Sequence, residues 1–331
     1  MENIIFRALI VKEVAQNVFE RNIGGKKISE LPDGDVLIKV LFSSLNYKDA
    51  LSANGHKGIT RYYPHTPGVD AAGIVVESNT DKFRVGDEVI VTGYDLGMNT
   101  SGGFGQYIRV PVDWVVPLPR GLTLQESMIY GTAGFTAGLC VNAFMEKGIE
   151  PKDGKILVTG ATGGVGSLSV AILSKLGYYV VASTGKLDKI DFLKNLGAKE
   201  VIHRSEIFDT TNKPLLPRKW IGVIDNVGGN TLSTAIRSTD YDGVVAAVGL
   251  VESEKLSLTV YPFILRGVSL VGIDSAETKM PKRLRIWDHL ASDWKINFDG
   301  IWREVPLDSI NDEIDKILNG QQVGKVVVKL W

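Results

Sequence analysis

The segment Lys155-Ile-Leu-Val-Thr-Gly-Ala161-Thr-Gly163-Gly-Val-Gly166-Ser167 has the chemistry of an anion cradle. An apolar run enters a glycine-rich turn of the G-x-G-x-x-G form, with Ala161 in the first place. In this form Gly163 lets the backbone approach a pyrophosphate, and Gly166 lets a helix lie close on the preceding strand. The helix that follows presents free N–H groups and a partial positive charge to the anion. A glycine turn without a ligand is the plainer alternative. The strand–turn–helix setting favours a dinucleotide.

The next turn decides which dinucleotide. A site for a free ribose 2′-hydroxyl carries Asp or Glu about 20 residues on. Here the strand ends Val181-Ala182-Ser183-Thr184-Gly185-Lys186, with no carboxylate. Two hydroxyls, a glycine and a lysine suit a 2′-phosphate, and Arg204, after Glu200-Val201-Ile202-His203, adds a second cation. Solvated surface is the other reading of Lys186 and Arg204. Three further turns, Asn226-Val227-Gly228-Gly229, Gly249-Leu250 and Asp274-Ser275, follow strand-like runs. Ligands bind at such strand ends in open α/β sheets, although ordinary turn chemistry explains any single one.

These residues need a parallel sheet to hold them. Strand-like segments at Lys155–Thr159, Tyr178–Ser183, Ile221–Asp225, Val244–Val248 and Ser269–Ile273 alternate with helical ones at Ser167–Leu176, Asp188–Leu196 and Leu232–Ser238. That alternation predicts a doubly wound sheet covered on both faces. An apolar helix from Gln125 to about Phe144, capped by Thr123, precedes it. The first 125 residues read differently. Short strands at Phe6–Val11, Val36–Phe42, Gly73–Ser78, the end of Val85–Val91 and Gln106–Val110 are set off by turns such as Pro32-Asp33-Gly34-Asp35. They predict an irregular β-barrel. The tail holds one helix, Asp308–Leu318, and one strand, Lys325–Leu330, which is expected to return to the first domain. The fold class is therefore α/β, with domains at 1–125 plus 300–331 and at 126–299.

Composition narrows the function. The chain has 331 residues, 37 Lys+Arg against 38 Asp+Glu, and 44% hydrophobic residues, which fits two folded domains. A net charge of −1 offers no field for nucleic acid or an anionic membrane. One cysteine rules out an intramolecular disulfide and a multi-thiolate zinc site. The first residues, Met1-Glu-Asn-Ile-Ile-Phe-Arg7, lack the form of a signal peptide, and no run approaches 18 apolar residues. A cytoplasmic protein is expected.

The order of parts resembles the medium-chain dehydrogenase/reductase superfamily, in which a GroES-like barrel flanks a Rossmann domain. The resemblance rests on Pro67-Gly-Val-Asp-Ala-Ala-Gly-Ile-Val, Phe83-Arg-Val-Gly-Asp-Glu-Val, the glycine motif and Gly324-Lys325-Val-Val-Val-Lys. Zinc members carry a cysteine in a C-H-x-D segment and a histidine in a G-H-E segment. Here the segments read Asn46-Tyr47-Lys48-Asp49 and Gly68-Val69-Asp70, so no zinc is expected. Asn46-Tyr-Lys-Asp-Ala and Pro262-Phe-Ile-Leu-Arg-Gly-Val-Ser-Leu-Val-Gly-Ile-Asp-Ser are most similar to the quinone-oxidoreductase group with the acryloyl-CoA reductases. That likeness implies NADP(H) contacts at Tyr47, Thr162, Gly163, Gly164, Val165, Gly166, Ser167, Ser183, Thr184, Gly185, Lys186, Arg204, Leu250, Ile264, Ser275 and Asn319. It also implies a homodimer joined through the late strand Val268-Ser-Leu-Val-Gly-Ile.

Without a Lewis acid, alcohol oxidation is disfavoured. Reduction of an activated C=C bond or a quinone needs less help. The expected activity is NADPH-dependent reduction of a small acceptor, an acryloyl-CoA-like thioester first, then quinones or free enones. Tyr47 is the candidate for orienting the nicotinamide or relaying the proton; a packing aromatic is its alternative. Asp49 reads as a helix cap. His56 and His65 read as surface histidines beside a cleft, and Lys279, Lys282, Arg283 and Arg285 as a solvated charged helix that could also face CoA phosphates. A non-catalytic NADPH-binding sensor on the same fold is the rival from another class.

Overall fold

The computed structural model describes residues 2–211 and 213–331. In chain order the elements are β1 (Ile5–Ala15), β2 (Val18–Lys27), β3 (Val36–Ser44), α1 (Tyr47–Ala53), β4 (Asp70–Ser78), β5 (Glu88–Thr92), β6 (Tyr107–Val110), β7 (Val116–Pro117) and α2 (Leu124–Glu146). Then come β8 (Lys155–Val158), α3 (Gly164–Lys175), β9 (Tyr179–Thr184), α4 (Ile190–Asn195), β10 (Glu200–His203), β11 (Trp220–Asp225), α5 (Gly229–Arg237), β12 (Thr239–Ala247), α6 (Tyr261–Arg266) and β13 (Ser269–Gly272). The chain closes with α7 (Met280–Ala291), β14 (Trp302–Pro306), α8 (Ile310–Leu318) and β15 (Lys325–Lys329). It divides into two compact units: Met1–Thr132 with Ala276–Ala291 and Trp302–Trp331, and Ala133–Ser275 with Ser292–Ile301.

The first unit contains a seven-stranded sheet in the order β14-β15-β3-β4-β5-β7, with β6 also on β3. β3 changes neighbours along its length: Val36–Lys39 pairs with β6 and Phe42–Ser44 with β15. This exchange lets the sheet curl. Val36, Ile38 and Val40 alternate into the core with Val75, Val89, Val91, Ile108, Val326 and Val328. The tail strand returns to this unit as expected, antiparallel to β3. The hairpin strand β2 was not expected. Its sequence, VFERNIGGKK, has no buried residue, so no apolar alternation marks it.

The second unit is a six-stranded sheet in the order β10-β9-β8-β11-β12-β13, with every neighbouring pair parallel. From β8 outward this is the doubly wound order with its switch point beside β8. Ile156, Leu157 and Val158 are all buried, as a strand covered on both faces requires.

Two features differ from the expected ones. Residues 276–291 were assigned to the sheet domain, but they pack on the barrel. The reason is Arg283, whose Nη1 donates to the Thr92 carbonyl at 2.7 Å and to its hydroxyl at 3.0 Å, and whose Nη2 donates to the Ala276 carbonyl at 2.9 Å. Its guanidinium also lies 4.3 Å from the Tyr94 ring centroid, so Arg283 is buried rather than part of a solvated cationic face. The second difference is in α2, expected as one unbroken helix. Gly131 breaks it with φ +50° and ψ −155°, conformations open to glycine alone. Thr123 caps the start as expected: the Glu126 N–H donates to its hydroxyl at 3.1 Å, and its own N–H donates to the Glu126 carboxylate at 2.8 Å. Among the described residues α2 alone is long and apolar enough to cross a membrane, and it is mostly buried inside the protein.

Candidate functional site

The glycine turn lies in the second unit between β8 and α3. The helix starts earlier than expected, at Gly164, with Gly163 as its N-cap. A Cβ on Gly166 would meet Gly160 O at 2.4 Å and Ala161 Cα at 2.7 Å, so helix and turn touch there. A Cβ on Gly163 would meet only Gly160 O, at 3.4 Å, which leaves its other side open to a phosphate. The residues thus fit a dinucleotide pyrophosphate at a helix N-terminus.

Parallel pairing gathers the second cluster beside the first. Val158 is opposite Ala182, and Thr184 is opposite His203, so the ends of β8, β9 and β10 lie side by side. The Ala161 N–H donates to the Ser183 carbonyl at 3.0 Å, and the Thr162 and Thr184 hydroxyls are 3.4 Å apart. The Lys186 N–H donates to the Thr184 hydroxyl at 3.0 Å, which shapes the turn. Arg204 lies over Gly185, where a Cβ would meet its Cδ and Nε at 3.1 Å. Ser183 and Thr184 are buried, whereas Lys186 and Arg204 reach solvent. Burial pulls the Lys186 ammonium below its usual pKa. Asp188, just beyond, is paired with Lys189 at 2.9 Å.

A third feature stands at the end of β11. The Thr159 hydroxyl donates to Asp225 Oδ1 at 2.7 Å, and Asp225 Oδ2 accepts from Gly228 N at 2.7 Å. Burial pushes the Asp225 carboxyl up to about 6. Asn226 Nδ2 donates to the Thr159 carbonyl at 2.7 Å, while its Oδ1 is buried with no partner among the described residues. Leu250 follows β12 and Ser275 follows β13, both at carboxyl ends of the sheet. Ile264 sits on α6, largely exposed. Tyr47 and Asn319 belong to the first unit, at the start of α1 and the end of α8.

At the foot of α1 lies a buried polar cluster: Asp49 caps the helix as expected, whereas its burial together with Asp70 and Lys325 was not read from the sequence. Asp70 Oδ2 accepts from Ser44 Oγ at 2.6 Å and from Asn46 Nδ2 at 2.7 Å. Lys325 Nζ donates to Ser44 Oγ and to Asn46 Oδ1, each at 3.2 Å. Asp49 is the third residue of α1 and caps it from inside: its Oδ2 accepts from the Asn46 N–H at 2.8 Å. Its Oδ1 accepts from the Val69 N–H, also at 2.8 Å. Burial, reinforced by the Asp70 charge, raises the Asp49 carboxyl to about 7. Burial lowers the Lys325 ammonium, against the pull of Asp70 and Asp49. The visible signal was a charged residue opening each of two apolar strands, at Asp70-Ala-Ala and Lys325-Val-Val-Val.

The donor set does not fit zinc. Valine has no donor atom, the asparagine amide is bonded on both its atoms, and the one neighbouring cation is an ammonium. Among the described residues no group of three His, Cys, Asp or Glu is placed to hold a metal. Cys140 is buried, with its thiol pushed far up in pKa by that burial. His65, expected at the surface, is buried with Nε2 2.9 Å from the Gly97 carbonyl oxygen.

Residues 32–120 match the alcohol dehydrogenase GroES-like domain and residues 164–287 the zinc-binding dehydrogenase domain. The chain is 46% identical over 330 residues to a Bacillus subtilis (strain 168) protein named as quinone oxidoreductase YhfP, covering 98% of this chain and 99% of that one. A crystal structure of that protein with NAD bound superposes with a TM-score of 0.96, covering 99% of this chain and 100% of that one. The chain is 41% identical over 326 residues to the acrylyl-CoA reductase AcuI of Ruegeria pomeroyi, covering 98% and 99% of the two chains. The yhdH oxidoreductase of Salmonella enterica in complex with NADP is 42% identical, with a TM-score of 0.95 over 98% of this chain and 100% of that one.

Proposed function

This chain belongs to the medium-chain dehydrogenase/reductase family, in the group of the quinone oxidoreductases and acrylyl-CoA reductases, and from that membership we propose that it reduces an acryloyl-CoA-like thioester with NADPH. The observation that carries the cofactor choice is the Gly185–Lys186–Arg204 turn: two cations and no carboxylate where a 2′-hydroxyl site carries an acid. The NADP and NADPH bound by similar structures support it, and the NAD bound by another makes it a choice worth testing.

Reduced nicotinamide, when bound, supplies a hydride to the electron-poor carbon of the acceptor. The chain's own groups do the rest. The N–H groups at the start of α3 hold the pyrophosphate, and Lys186 and Arg204 hold the 2′-phosphate. Negative charge then gathers on the acceptor's carbonyl oxygen, where a hydrogen-bond donor would stabilise it. Tyr47 is the proposed proton source, acting through its phenol Oη. The reading carries a cytoplasmic enzyme, where NADPH is regenerated, and a homodimer without nucleic-acid or membrane partners.

The test is turnover of purified protein with NADPH and acryloyl-CoA, crotonyl-CoA, free enones or benzoquinones, and with NADP⁺ and simple alcohols. Acryloyl-CoA gives the highest kcat/KM and alcohols give none. Tyr47→Phe lowers kcat about 10²-fold or more if its phenol relays the proton. Quinones outrunning every thioester would move the activity to quinone reduction, the reading favoured by the Bacillus relative's name. Absence of turnover with every acceptor would leave an NADPH sensor.

A further inference from the structure

We propose that Lys325 is a positioning residue of the reductase: bonded to Asn46 from within the barrel, its ammonium fixes the N-terminus of α1 and with it Tyr47. The inference rests on the role proposed above for Tyr47.

Three observations carry it. Lys325 is only 1% exposed, in a strand whose neighbours Val326, Val327 and Val328 are also buried. A strand needing only packing would carry an apolar side chain there, since burying an ammonium is costly unless its bonds are used. Those bonds go to Ser44 Oγ and Asn46 Oδ1, at the end of β3 and the cap of α1. Next, Asn46 is held at every polar group by this cluster. Its Oδ1 takes the lysine, its Nδ2 gives to Asp70 at 2.7 Å, and its N–H gives to Asp49 at 2.8 Å. The preceding Leu45 N–H donates to the Val326 carbonyl at 3.0 Å, so β15 grips the chain just before the cap. Finally, Tyr47 is the first residue of α1, 43% exposed, and its phenol makes no hydrogen bond among the described residues. The backbone beneath Tyr47 therefore sets its place, and that backbone is anchored through Asn46. Asp49 and Asp70 are both fully buried beside the lysine, which balances their charge and keeps the cap assembled.

The experiment compares Lys325→Met, Asn46→Ala and the double variant with the parent protein. Hydrogen exchange on the protein without cofactor should show α1 amides exchanging about ten times faster in Lys325→Met, with β8 to β13 unchanged. Steady-state rates with NADPH and the preferred acceptor should show kcat down about tenfold in each single variant, KM for NADPH within about twofold, and no further loss in the double. Unchanged exchange at α1, unchanged kcat, or losses that multiply in the double variant would overturn the proposal. If Lys325→Met does not fold, Asn46→Ala decides, and a normal kcat there overturns it. A parent protein inactive with every acceptor defeats the reductase reading instead, while the exchange result still decides whether Lys325 holds α1.

Discussion

Asp70 takes over the role of a helical carbonyl for Thr132. Its two carboxylate oxygens accept from the Thr132 N–H at 2.9 and 3.0 Å, and its Oδ1 accepts the Thr132 hydroxyl at 2.6 Å. The Gly131 break frees that N–H. The bond thus ties the start of β4 to the middle of α2.

Gly131 is therefore irreplaceable on two grounds. Its backbone conformation is closed to other residues, and a Cβ would meet Asp70 Oδ2 and Ser44 Oγ at 2.5 Å. Gly131→Ala is expected to cost about 3 kcal/mol or more. Urea unfolding of the variant beside the parent protein measures it, and a loss under about 1 kcal/mol would refute this account.

Cofactor preference follows from the turn at β9. A charge-assisted contact contributes roughly 1.5–3 kcal/mol, or about ten- to a hundredfold in affinity. Lys186→Ala and Arg204→Ala are each expected to weaken NADPH by about that factor and to leave NADH nearly unchanged. Fluorescence titration of both cofactors checks this; equal affinities in the parent protein would falsify the assignment.

Activity should survive removal of metal. Val69 offers no ligand and Asn46 is fully engaged, so dialysis against a chelator should leave the rate unchanged. Loss of activity restored specifically by added zinc would count against this.

Acid should weaken the fold through His65. Burial depresses its pKa to about 4 from 6.5, so between those values the unfolded chain binds the proton and the folded one does not. Stability from this source is intact above pH 6.5 and is lost as pH falls, by about 2 kcal/mol at pH 5. Asp49, raised to about 7, acts in the opposite sense, since its folded form holds the extra proton. The clean quantity is thus the parent-minus-His65→Gln difference in unfolding free energy at pH 7.5 and 5. A difference that does not change with pH removes His65 from the account.

The sheet edge gives an assembly prediction. Among the described residues β13 pairs only with β12, and Leu270 on it is exposed, as are Val260, Tyr261, Ile264 and Leu265 nearby in the chain. An apolar open edge invites a second copy. Sedimentation at micromolar concentration is expected to show a dimer, and Leu270→Lys a monomer; a monomeric parent protein would rule this out.

Local pattern carried much of the protein. Glycine spacing between Ala161 and Gly166, strand–helix alternation after Lys155, and the missing acid after Ala182 each depend on residues close in sequence, so they were legible before any fold was known. The loss of zinc ligands at Asn46 and Val69 was legible too, because residue type alone limits coordination. What the tertiary structure decided involves partners far apart in the chain. Lys325 read as an ordinary strand end, yet it meets Ser44 and Asn46 because β15 pairs with β3. Arg283 read as a solvated cation, yet it is buried on Thr92 and Tyr94. The break in α2 was hidden for the same reason: a glycine in an apolar helix is unremarkable until Asp70 arrives to take the freed N–H. Burial and pairing of a charged side chain depend on what the fold brings to it, and periodicity records only which way a residue faces.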